Sequence, residues 1–143
     1  MHPLFTVHKH YGSLLLVLIL AVIIVAIVKG PKPVLQRIVA VLVDLNLVLG
    51  VFTIFQEGAR NVSWFHPIFA LGAVGLLHAS AKSEDRNKVI RCFSLALGLL
   101  VLAWSVNAPW GPAFFKETLL IKSAPVAAVV APAPAAPVAP AAK

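Results

Sequence analysis

Residues 11–28 read YGSLLLVLILAVIIVAIV, a run free of Asp, Glu, Lys and Arg, and are followed by Lys29-Gly30-Pro31-Lys32-Pro33. A helix over this run rises about 1.5 Å per residue, close to what a hydrocarbon core of about 30 Å requires. The prolines after it cannot prolong it. Counted from residue 10, the charge-free stretches are 10–28, 38–43 continuing as 45–56, 61–81 and 92–115. Hydrocarbon offers a bare backbone no hydrogen-bond partner, so four helical crossings are expected. A barrel of about ten-residue alternating strands does not suit runs this long. The fold class expected is all-α, an integral membrane four-helix bundle over 1–112.

Composition agrees. Of the 143 residues, 60% are hydrophobic and 12% charged, with a mean hydropathy of +0.94. Soluble domains carry about 25% charged residues. The net charge of +7 could suit nucleic acid, but no basic groove is interleaved with aromatics, so no nucleic-acid partner is expected. The cations sit at span edges instead. Lys29, Lys32 and Arg37 flank the first connection and Lys82, Arg86, Lys88 and Arg91 the third, against Lys9, Arg60, Lys116 and Lys122 on the other side. The positive-inside rule then puts the N-terminus and the C-terminus on the outer side of a bacterial inner membrane. Membrane lipid is the first partner, with anionic headgroups against the basic loops.

The N-terminal apolar run is preceded by His2, His8, Lys9 and His10 and lacks a small-residue cleavage motif, so it reads as a retained span. Cys92 is the single cysteine, which excludes an internal disulfide and any zinc-type Cys spacing. Expected spans are 11–28, 34–55, 64 or 65 to 81, and 89–106, the last stopped by Asn107-Ala108-Pro109-Trp110. Residues 113–122 can form a short interfacial helix. From 123 to 143 the chain is almost pure Ala, Pro and Val, an extended tail of polyproline type that serves as spacer or docking strip.

Few polar residues share these spans. His10 and His66 open the first and third crossings on the same side. An imidazole there can ligate haem iron or chlorophyll magnesium, or can snorkel to the interface. His78 lies about 18 Å beyond His66 along one helix, too far to serve the same haem, and matches the depth of Asp44. Asp44 can meet His78, or Arg37 seven residues before it. Such a set fixes helix registry, handles a proton, or holds a haem propionate or a quinone. Asn46 points away from Asp44 and shares a face with Gly50 and Thr53. Glycines at 12, 50, 72, 75 and 98 allow close approach of a helix or a flat cofactor.

Five pieces occur in order: His10-Tyr11-Gly12-Ser13-Leu14, Leu45-Asn46-Leu47-Val48-Leu49-Gly50-Val51, His66-Pro67, His78 and Pro109-Trp110. Over roughly residues 8–112 the pattern resembles small four-helix bacterial membrane proteins catalogued as cytochrome b-like. It departs from them at Leu15, Asn46 and Phe65, where the family often has arginine, glutamine and a charged residue. The resemblance implies haem b, with His10 and His66 as axial ligands and His78 as a third candidate. The expected function is a noncatalytic, haem b-binding electron-transfer protein or subunit, since two imidazoles leave iron no open position. The alternative is a cofactor-free accessory or assembly subunit of a respiratory or photosynthetic complex. No Ser-His-Asp, Cys-His, Walker or two-carboxylate arrangement suggests an enzyme.

Overall fold

The computed structural model describes residues 3–57 and 62–107, and these are all-helical. Four helices follow in order: α1 (Pro3–Lys29), α2 (Pro33–Glu57), α3 (Phe65–Ser80) and α4 (Arg86–Val106). Three of them, α1, α2 and α4, are long and apolar enough to cross a membrane. With 16 residues, α3 rises only about 24 Å and is a turn short of a full crossing. The residues assigned to an interfacial helix and to the Ala/Pro tail lie outside the described residues.

Local chemistry sets the helix ends. Pro3 and Pro33 each occupy a first helical position, where the missing N–H is no loss and the fixed φ suits the helix. As a result α1 starts two turns before the expected Tyr11. Gly30, with φ 81°, ends it in a left-handed turn that a Cβ would strain. Asp85 caps α4, its carboxylate accepting from the N–H groups of Asn87 at 2.9 Å and Lys88 at 3.3 Å.

Each helix packs against two neighbours, α1 on α2 and α4, and α3 on α2 and α4. The ring is uneven: α3–α4 is the broadest of these interfaces and α2–α3 the slightest. On α1 the buried face carries Leu15, Ile19, Val22 and Ala26, the alternating three- and four-residue spacing of a bundle seam. Val39, Ala40, Val43, Ala73, Leu77, Val89, Phe93 and Ala96 complete the core. The outer surface is apolar as well, with Leu14, Val17, Ile24, Val41, Val48, Leu71 and Leu95 all exposed.

The turns after α1 and α3 share one end of the bundle, which carries Lys29, Lys32, Lys82, Arg86 and Lys88, all exposed. Polar contacts fasten this basic end. Arg86 donates to the carbonyl of Ile27, one of the last-turn carbonyls of α1 that a helix leaves unpaired. Gln36 is fully buried. With its amide turned to match its neighbours, it donates to the carbonyls of Ser80 at 2.9 Å and Ser83 at 3.2 Å and accepts from Lys32 N–H at 3.0 Å.

Candidate functional site

At the opposite end the helices part around a cavity of about 560 Å³, within the range of about 300–1,000 Å³ usual for ligand sites. Its wall is mostly apolar, with Leu15, Leu16, Val43, Leu47, Val74 and Leu100 below and His8, Asn46, His66 and Asn107 above. Lys9 also reaches its rim.

His8 enters from α1 because the seam of that helix runs on through it: His8, Gly12, Leu15, Ile19, Val22 and Ala26 repeat at steps of four and three. Its Nδ1 lies 3.1 Å from the backbone oxygen of Asn46. A carbonyl only accepts, so Nδ1 carries the proton and donates, and Nε2 keeps a free lone pair. His66 enters from the first turn of α3, its Nδ1 2.7 Å from the backbone oxygen of Ala103. That carbonyl is in the last turn of α4, where helical carbonyls lack a helical partner. Here too Nδ1 donates, and Nε2 has no hydrogen-bond partner among the described residues. The two rings stand 6.2 Å apart between centroids at 77°.

Small residues make the room. A Cβ on Gly50 would lie 2.9 Å from Cε1 of His8, and one on Gly12 would lie 3.3 Å from Nδ2 of Asn46. Only glycine at 50 lets the His8 ring keep its place against α2. Asn46 shows a further peculiarity: its Oδ1 is buried and accepts no hydrogen bond among the described residues. The Asn46 side chain nevertheless interacts with the His8 ring beside it. Above the cavity, Asn107 Oδ1 accepts from the N–H of Ser63 at 3.1 Å and ties the end of α4 to the start of α3.

Of the residues expected to form the site, His66, Asn46 and Gly50 meet here. His10 does not. It is exposed, two residues and about 200° of helical turn from His8, and so lies on the outward side of α1. His8 takes the position opposite His66 that the sequence reading gave to His10. Two features of the sequence mark it: Pro3 as a helix start and the seam spacing back from Leu15. Ala103 was missed because a backbone carbonyl has no sequence signature.

His78 and Asp44 form a separate pair across α2 and α3, with Nε2 and Oδ2 2.8 Å apart. Their side chains are 50% and 38% exposed. Both lie roughly 20 Å of helical rise from the ends of α2 and α3 nearest the cavity. Arg37 is exposed near the basic end, and no ion pair joins it to Asp44 among the described residues.

No family model, no curated protein and no solved structure matches the chain.

Proposed function

We propose that the protein is a haem b-binding electron-transfer protein of the bacterial inner membrane, with His8 and His66 as the axial ligands. The observation that carries this is the matched state of the two imidazoles. Each spends Nδ1–H on a backbone carbonyl, the orienting bond that metal-ligating histidines commonly make, and each keeps Nε2 for a metal. An imidazole nitrogen sits about 2 Å from a metal it binds, so two rings on opposite sides of one ion place their centroids roughly 6 Å apart. The centroids here stand 6.2 Å apart at 77°, a spacing that supports the reading although an edge-to-face ring contact has it too.

A pair suits haem better than a bare ion. No group of three or more His, Cys, Asp or Glu able to hold a metal occurs among the described residues, whereas porphyrin brings its own four nitrogens and needs only axial ligands. The mostly apolar wall and the glycines at 12 and 50 suit a flat, largely apolar group. Bound haem supplies a one-electron iron couple, and ligation on both faces favours electron transfer over oxygen chemistry. The chain's own part is to fix both rings, exclude water and place Lys9 at the rim, where an ammonium suits a carboxylate. The cations gathered at the far end favour the cytoplasm for that end, which puts the cavity toward the outer side.

The test is haem content. Protein purified after haem-replete expression is scanned oxidised and dithionite-reduced and assayed as the pyridine haemochrome. About one haem b per chain is the expected result. A folded, colourless preparation removes the proposal.

A further inference from the structure

The Asp44–His78 pair takes no part in the haem pocket. Its two side chains are about half exposed on a surface that is otherwise apolar. In the bilayer reading they face hydrocarbon, where ionisable groups are costly and mark a function or a partner. His78 lies in the last turn of α3, four residues before Lys82 of the basic end, so amphiphiles whose polar heads lie near that interface reach the pair from the hydrocarbon side.

The chemistry of the pair narrows the ligand. With Asp44 as carboxylate, His78 donates Nε2–H to Oδ2 across 2.8 Å, and Nδ1 is left as a lone pair with no hydrogen-bond partner among the described residues. Asp44 holds the ring in this tautomer, the positioning role of the carboxylate in a His–Asp pair. The free nitrogen is an acceptor for an O–H or N–H donor, and a hydroxyl on a flat ring is the membrane-soluble donor that fits the seat described next.

The surroundings supply a flat seat. Gly75 is exposed one turn before His78, and a Cβ built on it would meet nothing within 4 Å. Bare helix backbone lies open there, with exposed Leu71 a further turn along and exposed Val48 one turn after Asp44 on α2. The seam beside it, α2–α3, is the slightest of the four. Val43 and Val74, next to Asp44 and one turn before His78, line the cavity floor.

We infer that the Asp44–His78 pair binds the headgroup of a membrane-dissolved hydroquinone, a ring O–H donating to Nδ1 of His78 while the ring lies on Gly75 and the tail runs along Leu71 into lipid. The inference rests on the bilayer placement and not on haem: His8→Ala removes the haem ligand and leaves this pair intact.

The experiment uses the full chain in phosphatidylcholine nanodiscs and a decyl-substituted benzohydroquinone as probe, with lipid-only discs as the baseline. Saturable binding at one probe per chain is expected, at least tenfold weaker in His78→Phe, several-fold weaker in Asp44→Asn and unchanged in His8→Ala. No binding above lipid-only discs overturns the inference, as does binding that His78→Phe leaves unchanged. A dimer that His78→Phe splits, with no probe bound, overturns it in favour of a contact between copies. Should His78→Phe fail to fold, the nitrogen-15 resonance of His78 Nδ1 in the wild type decides: movement on titration supports the site and a static resonance refutes it.

Discussion

His8 of α1 and His66 of α3 face each other across the bundle with ring planes 77° apart, and each turns Nδ1 back to a carbonyl of a neighbouring helix. Neither ring can leave this arrangement without surrendering a hydrogen bond, so the site is held in place by α2 and α4 before any ligand arrives. Pre-orientation of this kind lowers the ordering cost of binding.

The ring planes give a spectroscopic prediction. Near-perpendicular imidazoles on one ferric iron give a strongly anisotropic low-spin electron paramagnetic resonance signal, and coplanar ones a rhombic signal. The anisotropic type is expected for this protein. A rhombic spectrum would show that the rings reorient on binding.

Gly50 is predicted to be intolerant of even a methyl group. The added Cβ would lie 2.9 Å from Cε1 of His8, and crowding of this kind costs about 1–3 kcal/mol or pushes the ring away. Gly50→Ala should therefore lower haem occupancy and alter the spectrum of what remains. Gly98→Ala is the control, since a Cβ there meets nothing within 4 Å, and it should hold or raise thermal stability by up to about 1 kcal/mol. Equal behaviour of the two variants would refute the role given to Gly50.

At the basic end, stability and haem binding should separate. Asp85→Ala removes the cap of α4 and is expected to cost about 1 kcal/mol. Gln36→Leu takes the buried donor from the carbonyl of Ser83, while that of Ser80 keeps the N–H of Ser83, and should cost about 1–3 kcal/mol. Thermal unfolding in detergent reads both losses, while haem per folded chain should stay at the wild-type value. A fall in haem content would show that this end shapes the pocket.

Much of the helical architecture is legible from residue order because apolar length decides it: a run as long as 11–28 is too long for a strand and reads as a helix long enough to cross a membrane. Helix direction follows from the short turns at Gly30 and before Asp85. What a run of Leu, Val and Ile hides is its facing. Hydropathy is nearly the same all round α1, so the inward side shows only in the spacing of His8, Gly12 and Leu15 and in Pro3 as the true start. Reading the helix from Tyr11 left His8 outside it and made His10 the nearer candidate. Matched depth admits an Asp44–His78 contact but leaves Arg37 as the other partner, since helical rise measures depth and not facing. The orienting carbonyls of Asn46 and Ala103 depend on how far α2 and α4 run beside their neighbours, which no single residue encodes.

Alanine variants of the three histidines, expressed with ample haem and compared by optical spectrum and pyridine haemochrome, test the ligand assignment most directly. Low-spin haem b at about one per chain is predicted for the wild type and for His10→Ala, with loss of haem or conversion to high spin in His8→Ala and in His66→Ala. Retention of a wild-type spectrum by His8→Ala, or its loss in His10→Ala alone, would contradict the account.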